Sequence, residues 1–309
     1  MPARIVVALL DERQDYSQLQ ATESKAAAAR ANVSIDVVYA ENNALVQIQQ
    51  LYSRIHAPEG ERPEAIVVQS VTGEGLERVA RNAVRSKIGW ILLNRRVDYV
   101  DELRAAHPDL PIARVSLDQV EVGRIQGRQV RKLAPEPGLL IYVSGPRDTS
   151  AAQDRLHGTE KELDSVGYEW KLLNGNRTEQ GAQTAMAGFL RLATNKGRRP
   201  VIIVAQNDWM ALGARGAGTA HDPSWSRVPV VGCDGLVGHG QALVTSGQLA
   251  ATVVTPSSAG AAVEYLTRWF SDRQPLPADA MLASRSFPAE DQLERVRTEW
   301  STTTAGRAR

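Results

Sequence analysis

The 309-residue chain is predicted to be an α/β protein of the doubly wound, parallel-sheet type. Three observations carry this expectation. Short apolar strands alternate with longer helical patterns almost throughout. The strands are near-continuous Val, Ile and Leu runs, the mark of parallel strands covered on both faces. The alternation also falls into two similar halves. Between them lies "AAHPDLPIARVSLD", a connection in which Pro108 and Pro111 break any helix.

In chain order, the apolar run Ile5–Leu10 reads as the first strand, and Tyr16–Ala31 follows as a helix. Strand Ile35–Tyr39 and helix Ala44–His56 come next, then strand Ala65–Gln69, helix Gly75–Lys87 and strand Trp90–Leu93. This first half runs to about Leu110, and the second starts near Asp118 with helix Gln119–Leu133. Strand Leu139–Ser144, helix Ala151–Val166, strand Trp170–Leu173 and helix Thr178–Ala193 repeat the alternation. Strand Val201–Ala205, helix Asp208–Thr219 and strands Pro229–Gly232 and Leu249–Val254 complete it. Helix Ser257–Phe270 is too short to be a domain and is expected to pack back on the first half, after a second crossing near Thr255–Pro256. The tail "RSFPAEDQLERVRTEWSTTTAGRAR" is expected to form a small helix and a frayed polar end.

Composition narrows the functional classes. Hydrophobic residues make up 43% and charged residues 23%, ordinary for a soluble protein, and the net charge of +1 gives no global field for nucleic acid or an acidic membrane. The lone cysteine, Cys233, excludes an intrachain disulfide and suits a core position. No segment approaches the roughly 18 consecutive apolar residues of a membrane span, so no direct membrane insertion is expected. The five histidines lack metal-site spacing, and no metal is expected. No cofactor is expected either: there is no Walker phosphate loop, and "GEGLER" at Gly73–Arg78 lacks the third glycine of a dinucleotide fingerprint. No paired nucleophile or nucleophile elbow is evident, which leaves Asp234 or Asp208 as the sole candidate bases for an enzyme reading; none is expected.

The strand ends are more informative. In open parallel sheets, ligands bind outside the carboxyl ends of the strands. Here those ends read "ALLDERQDY", "VVQSVTGEG", "ILLNRRVD", "YVSGPRDTSAAQDR", "VAQNDWMALG" and "VGCDG". As a set they supply donors and acceptors for a hydroxyl-rich ligand. Taken alone, Asp234 beside Gly235 would serve as a turn former or a helix N-cap.

Several of these stretches together resemble type I periplasmic solute-binding proteins of the ribose-binding kind, whose fold also forms the effector domain of lactose-repressor-type regulators. "VAQNDWMALGARGAG" is similar to the family's strand, Asn-Asp and small-residue helix, and "VVGCDG…GQLAATVVTP" to its Gly-x-Asp-Gly strand end and hinge strand. "DTSAAQDRLHG", "ILLNRR" and "VSLDQVEVGRIQG" match its turn and helix, its Asp-Arg strand end and its first crossover, and the resemblance spans roughly Arg4 to Arg285. It implies two Rossmann-like lobes, residues 1–116 with 256–283 and 117–255 with 284–309. It also implies a three-segment hinge, near Leu110–Asp118, Thr255–Pro256 and Met281–Arg285, that closes the lobes on a ligand. Carried over, the ligand contacts would be Asn94 and Arg95 from the first lobe and Arg155, Asn207 and Asp234 from the second. Thr255 would lie at a hinge, with Gln69, Tyr16, Asp11 and Glu12 at the first lobe's edge.

The departures shape the expected ligand. Asn94 stands where the family has Asp, and the loop "DERQDYSQL" offers only Tyr16 where two aromatics are common. Asn176 and Arg177 replace an aromatic in "NGNRTEQG", and Cys233 replaces another. The expected partner is therefore a small sugar, polyol or sugar acid held more by polar groups than by stacking. The family implies an ABC permease as a further partner, or a signalling protein if the chain is a sensor. A monomer with no nucleic-acid partner is expected. The N-terminus carries no recognisable secretory signal, which makes the chain cytoplasmic as it stands, or periplasmic if processed.

Overall fold

A computed structural model describes residues 3–73, 75–192 and 198–302. The elements in chain order are β1 (Arg4–Leu9), α1 (Asp15–Arg30), β2 (Ser34–Tyr39), α2 (Ala44–Ile55), β3 (Ala65–Gln69), α3 (Glu77–Arg85), β4 (Gly89–Leu93), α4 (Tyr99–Ala106) and β5 (Ile112–Leu117). They continue with α5 (Gln119–Leu133), β6 (Leu139–Ser144), α6 (Ser150–Leu163), β7 (Glu169–Asn174), α7 (Glu179–Arg191), β8 (Ile202–Ala205) and α8 (Asp208–His221). The rest are β9 (Val230–Val231), α9 (Ala242–Thr245), β10 (Thr252–Val254), α10 (Ser258–Asp272), β11 (Asp279–Leu282), β12 (Arg285–Phe287) and α11 (Leu293–Thr302).

The chain divides into two compact units, residues 1–117 with 256–282 and residues 118–255 with 283–309. The first holds a parallel sheet in the order β11-β5-β4-β3-β1-β2. Because both faces are covered, its central strands are almost wholly apolar up to the polar Gln69 at the end of β3, and Ala65–Gln69 and Gly89–Leu93 are buried at every position. Ile66, Val68, Trp90 and Leu92 pack on α2, α3 and α4. Ile5, Val7, Val67 and Ile91 face α1 and α10 on the other side. The returning helix α10 belongs in this core: Ala259, Ala262, Val263 and Leu266 are fully buried. The Ser257 side chain caps it, accepting from Gly260 N at 3.0 Å.

The second unit holds a parallel sheet in the order β7-β6-β8-β9. Ile141, Val143, Ile203 and Val230 pack on α7 and α8 on one face, and Leu140, Tyr142, Ile202 and Val204 on α5 and α11 on the other. A separate antiparallel pair, β10 with β12, aligns Val253 with Ser286.

The strands at Ala65–Gln69 and Leu139–Ser144 and the helix Gln119–Leu133 lie where the sequence places them. Four strands differ from expectation. Ile112–Leu117, expected to be a connection, is a strand of the first sheet; Pro108 and Pro111 occupy the turn just before it. Its partly buried Arg114 and Ser116 break the apolar run, because the strand lies beside the edge strand β11. The strands β11 and β12 and the eight-residue α4 were too short and mixed to stand out. The strand expected over Leu249–Val254 begins only at Thr252, and its pairing with β12 departs from the all-parallel expectation. Ala193, Glu74 and the tail beyond residue 302 lie outside the described residues, so the end of the Thr178–Ala193 helix, the middle of "GEGLER" and the frayed tail are left there. Among the described residues, no helix is long and apolar enough to cross a membrane.

The helices α5 and α6 meet through glycines. A Cβ on Gly158 would run into the backbone of Val120 and Arg124, and one on Gly123 into that of Arg155 and Thr159. An ordinary mid-helix Gly→Ala change gains about 0.5–1 kcal/mol. Gly158→Ala is expected instead to lose about 1–3 kcal/mol by overpacking. Thermal melting should therefore show a lower midpoint, and a raised one would mean that the helices part at little cost.

Candidate functional site

In the first unit, the strand ends are tied together by side-chain amides. After β1, Asp11 is 5% exposed and accepts from Arg13 N and Nε, both at 3.0 Å, from Arg13 NH2 at 2.8 Å and from Asn42 Nδ2 at 3.0 Å. These donors hold its carboxyl below the usual carboxylate range. Glu12 beside it is exposed. Tyr16 lies in α1, and its hydroxyl donates to Pro256 O at 3.0 Å. At the end of β3, Gln69 Oε1 accepts from Gln20 Nε2 at 2.7 Å, while Gln20 Oε1 accepts from Ala259 N at 3.1 Å. Gln47 Nε2 donates to Gln69 O at 2.9 Å. After β4, Asn94 takes a left-handed backbone, φ 52°, which Asn tolerates better than most residues. Its Nδ2 donates to Ser258 Oγ at 2.7 Å and its Oδ1 accepts from Leu117 N at 3.2 Å. Arg95 is buried, and its guanidinium donates to Asn94 O and Ser70 O, both at 2.8 Å.

Charges gather at the strand ends of the second unit. Arg155, on α6, donates through Nε to Gln119 Oε1 at 2.7 Å and through NH1 to Gln206 O at 2.6 Å. Gln206 fixes the β6 end: its Oε1 accepts from Gly145 N at 2.9 Å and its Nε2 donates to Tyr142 OH at 3.0 Å. Asn207 caps α8, accepting from Met210 N at 2.7 Å, and donates to Arg177 O at 3.0 Å. Arg177 has φ 61°, and the surrounding protein desolvates its guanidinium enough to push its pKa down to about 10. Asp148 opposes that shift and Arg155 adds to it. Asn176 is exposed with φ 49°.

The Cys-Asp-Gly turn follows β9. Asp234 takes φ 96°, a conformation that side-chain-bearing residues rarely adopt. It is not a helix N-cap, because the next helical turn begins at Val237 with Leu236 in the cap position. Its carbonyl accepts from Thr255 N at 3.1 Å and Thr255 Oγ1 at 3.3 Å. Beneath it, Asp208 is 1% exposed and accepts from Thr252 Oγ1 at 2.6 Å, from Gly235 N at 2.8 Å and from Cys233 N. Cys233 is fully buried, and desolvation pushes its thiol up to about 12. Arg155 opposes that rise, while Asp234 and Asp208 add to it, so all three side chains lie near this turn.

The strand-end residues named from sequence thus fall into two groups. Asp11, Gln69, Asn94 and Arg95 gather in the first unit, with Tyr16 reaching the start of α10, and each is hydrogen-bonded within that unit. Arg155, Asn207, Cys233, Asp234 and Thr255 gather in the second; Cys233 packs inward as a core residue, and Thr255 grips the Asp234 carbonyl. Sequence reasoning missed Gln20, Gln47 and Gln206, whose partners lie far along the chain. It also missed a stacked pair, Trp209 on His239 with ring centroids 4.1 Å apart. The position of Trp209, directly after Asn207-Asp208 at a helix start, was the available signal.

In open parallel α/β sheets, polar groups gathered at the strand ends stand where small ligands bind. The Periplasmic binding protein domain family matches residues 5–267, and the chain belongs to that family. It is 25% identical over 214 residues to the galactofuranose-binding protein YtfQ of Escherichia coli K12, covering 68% of this chain and 65% of that one. It is 32% identical over 154 residues to the ribose import binding protein RbsB of the same organism, covering 48% of this chain and 49% of the relative. The chain thus matches less than two thirds of the length of these curated relatives. Solved structures agree in fold: a galactofuranose binding protein (TM-score 0.79, 19% identity, 96% of this chain and 98% of that one). A Caulobacter myo-inositol binding protein matches with TM-score 0.78 and 20% identity over 96% of this chain and 97% of that one.

Burial and the Asp234 charge raise the Asp208 pKa well above the ordinary 3.8. The native state therefore keeps a proton that the unfolded chain releases. Asp208 favours folding most below the ordinary value, and that contribution is lost as pH climbs toward the raised one. Asn reproduces the protonated acid, donating to Thr252 and accepting from Gly235. Thermal melts of Asp208→Asn should thus fall less between about pH 5 and about pH 8 than those of the parent. Parallel curves would place the slope on other groups. Asp208→Ala, which strands the turn's donors, is expected to lose about 1–3 kcal/mol.

Proposed function

We propose that the chain binds a sugar or sugar derivative without chemically changing it, as the solute-binding component of an ABC-type sugar uptake system. The family supports a binding role, and the matched relatives are named for galactofuranose binding and ribose import. The observation that carries the reading is the convergence of Arg155 and Asp234 on the turn after β9. A guanidinium and a carboxylate offer charge-assisted donors and acceptors for vicinal hydroxyls. Among the described residues no cluster suited to a metal ion is found. A permease and ATPase pair is the proposed partner, with the protein acting on the outer side of the membrane.

The ligand class follows from the charges. Arg155 and Arg177 lie close enough to disfavour each other, and desolvation lowers the pKa of Arg177. An anionic ligand group relieves both penalties. A sugar acid is therefore expected to bind more tightly than its neutral parent, with an affinity that falls as salt rises. Calorimetry with matched pairs, such as galactonate and galactose, checks this. Tighter binding of the neutral member without salt dependence would leave a neutral sugar or polyol as the ligand.

Arg155→Ala and Asp234→Ala should each weaken ligand binding by roughly ten- to a hundredfold, the worth of one charge-assisted hydrogen bond, and leave the fold intact. A thermal-shift screen over sugars, polyols and sugar acids supplies the ligand, and calorimetry the affinities. Unchanged affinity in both variants would place the site elsewhere.

A further inference from the structure

The second unit carries a hollow of about 880 Å³ that none of the strand-end residues lines. Its walls come from α8, the turn at 223–227, the segment 244–250 and the C-terminal segment: Val244, Phe287, Pro288, Val296 and Trp300 supply apolar surface, and Arg215 a guanidinium. The size suits a small organic molecule, and the mixture of apolar wall and a few polar groups is typical of ligand pockets. Trp300 is held in place, its Nε1 donating to Arg227 O at 3.1 Å. Gly247, at the rim with φ 72°, has open space where a side chain would stand.

Arg215 sets the ligand chemistry. Its guanidinium lies 5.5 Å from the centre of the Trp300 ring, and NH1 donates to Ser226 O at 3.2 Å. Among the described residues, no carboxylate pairs with it. A guanidinium has five N–H donors, so most of its capacity remains for a ligand. Desolvation lowers its pKa, as expected of a partly buried cation without a counter-charge. Arg227 lines the same hollow and is exposed. The one acid on the wall, Glu299, lies 3.5 Å from Arg295.

The geometry points to a second ligand site here, for an amphipathic organic carboxylate: a flat apolar body against Trp300, Phe287 and Val244, with its carboxylate in the fork of Arg215. The site shares no residue with the sugar-binding cluster and does not depend on that reading. Arg and a carboxylate match as a planar, two-bond pair, and the apolar walls exclude the water that would otherwise screen it.

The test uses 1-naphthoate and the neutral 1-naphthamide as probes, with calorimetry on the full chain. Naphthoate is expected to bind at least about tenfold more tightly than the amide, the usual margin of a charge-assisted hydrogen bond. Arg215→Gln should bring the two probes to parity. Thr245→Trp, which fills the hollow from an exposed position, should abolish binding of both. Both variants should keep the parent's melting temperature, which makes loss of binding distinct from loss of fold. Equal affinity for acid and amide, no binding at millimolar concentration, or naphthoate binding unchanged in Thr245→Trp would each overturn the proposal. If Arg215→Gln unfolds, Thr245→Trp together with the acid–amide comparison still decides.

Discussion

Asp208 takes hydrogen bonds from the Thr252 hydroxyl and from the Gly235 and Cys233 amides in a place hidden from water. Room for it exists only because its neighbours are small: a Cβ on Gly232 or Gly240 would collide with its oxygens. One buried acid thereby joins the start of α8 to the turn after β9 and to β10. The left-handed Gly235 and the strained Asp234 between them are fixed by these bonds together with Thr255. The hydrogen-bonded anchor offsets the desolvation of the acid, and a protonated carboxyl would serve the same geometry. The backbone that carries Asp234 takes its position from that arrangement.

The first unit solves the same problem with neutral groups. Gln20, Gln47 and Gln69 link α1, α2, β3 and α10 by side-chain amides. Asn94 joins the ends of β4 and β5 to the first turn of α10. Asn suits this position because it donates to Ser258 with one atom and accepts from Leu117 with the other, which an ionised Asp could not do. Asp11 is likewise engaged by Arg13 and Asn42. Side chains singled out for their likeness to ligand contacts thus have structural duties in the first unit. In the second, Asn207 combines a helix cap with a bond to the loop of Arg177.

The legible parts of the sequence were those governed by local rules. Ala65–Val68 and Leu139–Val143 are dominated by apolar residues because strands covered on both faces favour them, the polar Gln69 and Ser144 standing at the strand ends. The family motifs were legible because strand, turn and helix start lie within a dozen residues of one another. Ile112–Leu117 was hidden by two nearby prolines and by Arg114, whose charge is met by Asp101 and Asp279 from other segments. The hydrogen-bond partners of the strand ends were illegible for the same reason. Tyr16 reaches residue 256, Asn94 reaches residue 258, and Asp208 reaches residues 235 and 252. No spacing rule connects such positions.

The caged turn at Gly232–Gly235 also bears on how such a protein changes over generations. Its backbone is held by an acid, glycines and a threonine hydroxyl, none of which needs a bound solute to stay in place. Recognition chemistry and turn geometry are therefore separable inheritances. On the sugar-binding proposal, exchanges at the exposed Asn176 or at Arg177 would alter which solute is favoured, while the scaffold that carries Asp234 stays held by its own packing. On that proposal a lineage would drift between ligands by small steps, because no step has to rebuild the turn.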